Sequence, residues 1–411
     1  MSSPGANTPF VAIACGGTGG HLFPGLAVAE QLQKRGCAVG LLISPKDVDQ
    51  EAVKSAHGME IFTLPAVGLQ NRNYFSFAGS FVKSLFATKK IFRQRRPAAV
   101  LAMGGFTSAP PIWVGKDFGA KTFLHESNTI PGRANRLLAR FVDEAFVGFP
   151  SAAARLRARK VTATGTPVRP QFQPRDAAVC RAKLFGVPPS GGSGQPPEGG
   201  TPNRLTILVM GGSQGASGIN DLVLSALPLL GDRATAWQWL HLTGPNDVEK
   251  VKQAYVASGF KAVVKPFLAE MDLALGAATV AVSRAGASSL AEIAAVRLPS
   301  LLVPYPAAAD NHQFYNAQAF EATSAARLLE QKNATPEKVA ALLRELVKDA
   351  AARAKIQTAL AQWHAPKAAE QIADIMLAAI ARQQEQAAVR ASKCSCGCAD
   401  KSAKQTVSPG A

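Results

Sequence analysis

Two glycine turns end apolar runs about two hundred residues apart in this chain of 411 residues, Gly16-Gly-Thr-Gly-Gly-His21 after Phe10 to Cys15 and Gly211-Gly-Ser-Gln-Gly215 after Leu205 to Met210. A buried strand that ends in glycine leaves backbone N–H groups pointing outward, and the helix that follows adds the positive end of its dipole, which together make a phosphate cradle. Two cradles imply two phosphorylated ligands, or one ligand held between two halves. A third turn, Met103-Gly-Gly-Phe-Thr-Ser108, follows the run 98–102 in the same half as the first. Gly16, Gly17, Gly104, Gly105, Thr107 and Ser108 are therefore expected to hold a diphosphate between two turns. Glycine also serves any turn that needs positive φ, so the turns alone do not decide. Neither follows G-x-G-x-x-G, because Leu22 and Ala216 stand where the last glycine would fall, which speaks against a dinucleotide oxidoreductase.

Other polar clusters also follow apolar runs. Ser283-Arg-Ala-Gly-Ala-Ser-Ser-Leu-Ala-Glu292 opens a helix with a carboxylate about one turn inside, where it can accept from the vicinal hydroxyls of a ribose or simply offset the helix dipole. His125-Glu-Ser-Asn128 and Gly165-Thr-Pro-Val-Arg169 fall where a cleft would open. Arg169 suits two phosphate oxygens of a departing diphosphate, with an exposed linker charge as the alternative. Asp310 to Asn316 offers amide and hydroxyl partners for a sugar. Asp47 and Asp49 resemble the two-carboxylate metal clamp of some sugar transferases but lack a third ligand, so they are read as a helix start.

These clusters need a scaffold that brings strand ends together. The runs Phe10 to Cys15, Ala38 to Ile43, Ala98 to Ala102 and Lys121 to Leu124, then Leu205 to Met210, Trp239 to Leu242, Thr279 to Val282 and Ser300 to Val303, alternate with helical stretches. Such alternation predicts α/β parallel sheets covered by helices, with ligands at the carboxyl ends of the strands. The expected division is an N-terminal acceptor- and membrane-facing domain over 1–168, a linker over 169–204 with the Pro/Gly-rich stretch 188–202, a C-terminal UDP-sugar domain over 205–365, a helix over 366–384 returning to the first domain, and a disordered tail over 385–411.

Forty-five basic against 28 acidic residues give a net charge of +17, which calls for an acidic partner. Seven basic and no acidic residues lie between Leu69 and Arg96, interleaved with Tyr74, Phe75, Phe77, Phe81, Leu85, Phe86 and Phe92. The pattern fits either an anionic membrane interface or a core helix with a solvated basic face. The N-terminus lacks a signal-peptide pattern and no apolar stretch is long enough to span a bilayer, so the protein is expected to work in the cytoplasm. Cys15, Cys37 and Cys180 read as reduced thiols, and Cys394, Cys396 and Cys398 as part of the polar tail rather than a zinc site.

Together the segments Gly16 to Ala29, Gly104 to Ser108, His125 to Asn128, Gly165 to Arg169, Gly211 to Gly215, Ser283 to Glu292 and Asp310 to Gln313, in this order, closely resemble the MurG family of glycosyltransferases over about Pro9 to Arg382. The resemblance implies the GT-B fold, two Rossmann-like domains facing a cleft. It also implies transfer of N-acetylglucosamine from UDP-N-acetylglucosamine to undecaprenyl-diphosphate-linked muramyl pentapeptide, at the cytoplasmic face of the inner membrane. By the same resemblance Ser213 and Arg169 face the UDP phosphates, Phe267 and the Leu268 backbone the uracil, and Ala287, Ser288, Ser289, Leu290, Ala291 and Glu292 the nucleoside, with Glu292 on the ribose. Thr18, Gly19, Gly20, Asn128 and Gln313 would face the sugar, and the turns at 16 and 104 the acceptor's diphosphate. His21 is the implied base, with Glu126 the alternative. Thr166 and Ser127 depart from the family's usual Asn and Gln, and Ser127 is expected to alter the sugar pocket. No metal or other cofactor is expected, since the second turn's helix and Arg169 meet the leaving group's charge. Nucleic acid is not an expected partner. A diacylglycerol transferase, a UDP-sugar epimerase of the same fold and a basic nucleic-acid module are the competing readings.

Overall fold

Strand alternation assigns each residue of the first run to a layer: Val11, Ile13 and Cys15 join one apolar cluster, while Phe10, Ala12 and Ala14 join another on the opposite face. A strand buried on both faces belongs inside a parallel sheet covered by helices. The computed structural model describes residues 8–17, 19–46, 49–50, 53, 56–65, 74–185, 204–212, 217–231 and 236–402, without side chains at 74–76 and 391–402. Thr18, Asp47, Ser213 and the stretch 188–202 lie outside the described residues, as does the side-chain chemistry of Cys394, Cys396 and Cys398.

Among the described residues the N-terminal sheet has the order β3-β2-β1-β4-β5-β6-β7, all parallel. Its strands are β1 (Phe10–Ala14), β2 (Ala38–Ile43), β3 (Glu60–Thr63), β4 (Ala99–Ala102), β5 (Lys121–Glu126), β6 (Glu144–Val147) and β7 (Val161–Ala163). The second sheet repeats the plan as β10-β9-β8-β11-β12-β13, also parallel. Here the strands are β8 (Thr206–Met210), β9 (Gln238–Leu242), β10 (Lys261–Lys265), β11 (Val280–Ser283), β12 (Ser300–Leu302) and β13 (Arg327–Leu328). Two such Rossmann-like units across a cleft form a GT-B-type fold.

Strand order reverses between β1 and β4 in the first sheet and between β8 and β11 in the second, and crevices open at the carboxyl ends there. The turns after β1 and β4 therefore meet in one crevice, and those after β8 and β11 in the other.

Five helices matter below: α1 (Gly19–Lys34), α2 (Tyr74–Gln94), α3 (Ala287–Val296), α4 (His312–Ala322) and α5 (Ala368–Ser402). Ile372, Ala373, Met376 and Ile380 of α5 complete the N-terminal core beside Leu22, Leu26 and Leu32 of α1, and Arg35 pairs with Asp374 at 2.7 Å. The span 385–402, expected to be disordered, continues α5. Gln386, Ala387, Ala388 and Arg390 are strong helix formers, and these exposed residues carry the helix on without packing.

Candidate functional site

In the first crevice, close approach of β2 dictates the glycine at 16: a Cβ there would lie 2.3 Å from the Ser44 nitrogen. The Gly17 N–H donates to Asp49 Oδ2 at 2.6 Å, and Ser44 donates to the same oxygen through its N–H at 3.1 Å and its hydroxyl at 2.5 Å. Lys46 Nζ donates to the Gly17 carbonyl at 3.0 Å. Asp49, read as opening a helix, is helical but also clamps the turn from behind. Among the described residues no group of three or more His, Cys, Asp and Glu is arranged to hold a metal.

The third turn is tied to the first. Thr107 Oγ1 donates to the Gly16 carbonyl at 2.8 Å, while Ser108 Oγ donates to the Gly104 carbonyl at 2.7 Å and accepts from the Gly104 N–H at 3.1 Å. Both hydroxyls are fully buried. Of the groups expected to hold a diphosphate, the Gly17 and Gly104 N–H groups and the Thr107 and Ser108 hydroxyls hold the two turns to the protein. Spacing cannot reveal this, because a hydroxyl that locks a loop and one that faces a ligand look alike in sequence. The first N–H groups of α1, at Gly19 and Gly20, lack intrahelical partners and remain for an anion.

His21 lies across the third turn. A Cβ at Gly104 would sit 2.9 Å from its Cε1, and one at Gly105 3.3 Å from its Cδ2; both glycines have positive φ, 109° and 79°. Side chains are thus excluded there twice over, by backbone conformation and by the ring. Burial lowers the imidazole pKa below its usual 6.5, against the raising effects of Glu126, a hydrogen bond to the Met103 backbone and Asp49. At neutral pH the ring is an unprotonated base.

Glu126 is 2% exposed and receives four donors: the Asn128 N–H (2.8 Å) and Nδ2 (3.1 Å) on one oxygen, the Gly132 N–H (2.9 Å) and Asn135 Nδ2 (2.8 Å) on the other. A carboxylate so occupied organises a loop. Next to it His125 donates from Nε2 to the Gly165 carbonyl at 3.1 Å, which leaves Nδ1 to accept from Ser127 Oγ at 3.2 Å. Burial pushes the His125 pKa down to about 4, so it stays neutral. The Ser127 hydroxyl thus supports the contact of β5 with Gly165.

In the second domain, burial raises the Glu292 pKa from 4.5 to about 7, opposed by Arg169. Arg169 has its own pKa lowered by burial, with Glu292 the leading opposing charge, and its guanidinium carbon lies 4.3 Å from the Phe23 ring centre. Of the 287–292 segment, Ala287 and Leu290 point into the core, while Ser288, Ser289, Ala291 and Glu292 are only partly buried. A role for Ala287 or Leu290 at a nucleoside is therefore confined to backbone. Phe267 is exposed and Leu268 buried beside it.

The two halves meet in a closed cleft. Ser288 Oγ donates to the Gly20 carbonyl at 2.8 Å, and Arg136 pairs with Asp310 at 2.7 Å. Asn316 is fully buried: its Oδ1 accepts from the Thr129 N–H and hydroxyl, both at 2.9 Å, and its Nδ2 donates to Asn128 Oδ1 at 3.0 Å and to the Ala285 carbonyl at 3.1 Å. Gln313 accepts from the Ala285 and Tyr305 N–H groups at 3.2 and 3.0 Å, which leaves its NH2 as the outward donor. Sequence reasoning did not single out Asn135 or Phe23, and it read Asp49 as a helix start and Asn316 as a partner for a sugar rather than as the clamps they are. For Asn316 the available signal was an amide one helical turn after Gln313.

Residues 11–147 match the glycosyltransferase family 28 N-terminal domain, and residues 206–372 match the glycosyltransferase family 28 C-terminal domain. The chain belongs to glycosyltransferase family 28. Family membership makes it a UDP-sugar glycosyltransferase rather than a basic binding module. A protein of Anaeromyxobacter sp. (strain Fw109-5), named UDP-N-acetylglucosamine--N-acetylmuramyl-(pentapeptide) pyrophosphoryl-undecaprenol N-acetylglucosamine transferase, is 35% identical over 376 residues, 90% of this chain and 93% of its own. A Syntrophus aciditrophicus (strain SB) protein of the same name is 35% identical over 335 residues, 80% of this chain and 87% of its own. The crystal structure of Acinetobacter baumannii MurG superposes with a TM-score of 0.68 at 25% identity, covering 90% of this chain and 99% of that one. Phytolacca americana UGT2, with a TM-score of 0.62 at 16% identity over 93% of this chain and all of that one, shares the fold.

Helix α2 carries the basic and aromatic run. Val82, Lys83, Phe86, Lys89, Lys90 and Arg93 are exposed, and Phe86 is 70% exposed. Phe81 instead packs edge-on against Trp113, with 5.4 Å between ring centres, and Arg95 pairs with Glu60 at 3.0 Å. Phe75 lies among the residues whose side chains are not described. Among the described residues no helix is long and apolar enough to cross a membrane.

Proposed function

We propose that the protein transfers N-acetylglucosamine, with inversion, from UDP-N-acetylglucosamine to the C4 hydroxyl of undecaprenyl-diphosphate-linked N-acetylmuramyl pentapeptide. The observation that carries this reading is the closed cleft, with the neutral imidazole of His21 on the N-terminal side and the Arg169–Glu292 pair on the other. The names of the relatives at 35% identity supply the substrate class.

Glu292 accepts from the ribose hydroxyls while Arg169 and the N-terminus of the helix after β8 face the diphosphate. The outward NH2 of Gln313 and the loop organised by Glu126 and Asn128 orient the sugar. His21 takes the proton of the attacking hydroxyl as the new bond forms at the anomeric carbon and the bond to UDP breaks on the opposite face. Arg169 and the helix dipole receive the charge that collects on UDP. His21 serves as the base because its ring keeps a lone pair, whereas all four hydrogen-bonding positions used on Glu126 are occupied. The acceptor's diphosphate meets the N–H groups of Gly19 and Gly20.

The acceptor's polyprenyl chain stays in the bilayer, so the enzyme must come to the cytoplasmic membrane surface. The exposed stripe of α2 suits that contact, with Val82 and Phe86 entering the interface and Lys83, Lys89, Lys90 and Arg93 meeting anionic headgroups. Phe77 and Phe81, of the same run, are only partly exposed, and Phe81 packs against Trp113. Incubation with UDP-N-acetylglucosamine and either the lipid-linked muramyl pentapeptide or diacylglycerol tests the reading. Transfer to diacylglycerol alone would overturn it.

A further inference from the structure

Arg169 is held by rings rather than by carboxylates. Its guanidinium carbon lies 4.3 Å from the ring centre of Phe23 and 5.1 Å from that of Phe172. Phe172 belongs to the core of the C-terminal domain, whereas Phe23 projects from α1 of the N-terminal domain. Arg169 Nε is buried without a hydrogen-bond partner, and among the described residues no carboxylate makes a direct ion pair with this side chain. A ring contacts a guanidinium through its face and fixes its plane, yet takes none of the N–H donors along its edge. A carboxylate partner would occupy the same edge that a diphosphate needs.

The Phe23 ring has a second neighbour. A Cβ on Gly19 would lie 3.2 Å from Phe23 Cε2, so the ring covers the end of the first glycine turn. One side chain therefore touches both the acceptor-side turn and the donor-side arginine, and it does so across the domain boundary.

We propose that Phe23 is a positioning residue: its ring sets the plane of the Arg169 guanidinium toward the donor's diphosphate, and it does so only when the two domains are closed. The inference rests on the reading that Arg169 faces that diphosphate. It explains how closure on the acceptor side readies the leaving-group side without a hydrogen bond between them.

Calorimetry with UDP and with uridine separates the roles, since only UDP offers the phosphates. Phe23→Leu should weaken UDP by about tenfold and leave uridine within about twofold, and Phe23→Tyr should keep both near wild type. In an Arg169→Lys background, which cannot present the same flat face, Phe23→Leu should add less than about twofold. Phe23→Met is the second aliphatic variant should Phe23→Leu fold poorly. Equal losses for UDP and uridine, or full multiplication of the two substitutions, would overturn the proposal. Failure of the wild-type protein to bind UDP would instead overturn the donor-site reading beneath it.

Discussion

Glu292 offers a test in which pH, ligand and stability must agree. Its carboxyl titrates near 7 in the folded chain instead of 4.5, because burial opposes the charge more than Arg169 supports it. At ~1.4 kcal/mol for each pH unit, the ionised form above pH 7 is held at a cost of about 3 kcal/mol. Two ribose hydroxyls donating to the carboxylate, at roughly 1.5–3 kcal/mol for each bond to a charged group, are enough to offset that cost. Donor binding should therefore draw the proton off. Between pH 8 and pH 6 the affinity for UDP-N-acetylglucosamine, which has no phosphate titrating in this range, should fall by about tenfold, and below pH 7 binding should release about one proton. Glu292→Gln separates the carboxyl's contribution from that of His21, whose pKa burial lowers below its usual 6.5.

Stability must move the other way. A carboxyl whose folded pKa is raised costs the fold most above pH 7, and that cost shrinks as pH falls toward 4.5. Ligand-free Glu292→Gln should accordingly be more stable than wild type by up to about 3 kcal/mol at pH 8 and by under about 1 kcal/mol at pH 5, while binding the donor more weakly at pH 8. Calorimetry in two buffers of different ionisation enthalpy gives the proton count, and urea melts give the stabilities. Donor affinity that is flat from pH 6 to 8, or that keeps its pH dependence in Glu292→Gln, refutes the reasoning.

His21→Ala should lower kcat by roughly a hundredfold with donor KM nearly kept, as expected for loss of a general base; a rise in acceptor KM alone would make His21 a positioning group. Asn316→Ala leaves the Thr129 N–H and the Ala285 carbonyl unpaired across the cleft, and urea melts should show a loss of about 2–4 kcal/mol. Lys89→Glu with Lys90→Glu should weaken binding to anionic liposomes and reduce its salt dependence, and Phe86→Ser should weaken binding with little change in salt dependence. Equal binding by all three proteins removes α2 from the membrane contact.

The strands that sequence made legible are the continuous apolar runs, β1, β2, β4, β5, β8, β9, β11 and β12, found within about one residue of their ends except for β5, which runs two residues further to Glu126. Short strands were missed, β3, β6, β7, β10 and β13: β10, Lys261–Lys265, holds only three small apolar residues between lysines, and β13 spans only Arg327–Leu328. The site divides along similar lines. Glycines that announce a turn are visible because few other residues can stand there, as Gly104 and Gly105 illustrate with both positive φ and the ring of His21 above them. Thr107, Ser108 and Asp49 could not be placed from spacing, since their partners, Gly16, Gly104 and Gly17, are chosen by tertiary contact. Asn316 was read as a sugar partner for the same reason: all four of its bonds go to residues far away in the chain.

The C-terminal helix fixes an order of events during synthesis. Ile372, Met376 and Ile380 fill the N-terminal core beside α1, so that core lacks one wall until residues 372–380 have left the ribosome. About 230 residues separate β6 from this helix, and at ~5–20 residues per second the first domain waits roughly 10–50 s with Leu22, Leu26 and Leu32 partly uncovered. The second domain, whose strands and core lie between, can finish before the first. A nascent chain stalled before residue 368 would thus leave Leu22, Leu26 and Leu32 without the wall that Ile372, Met376 and Ile380 supply.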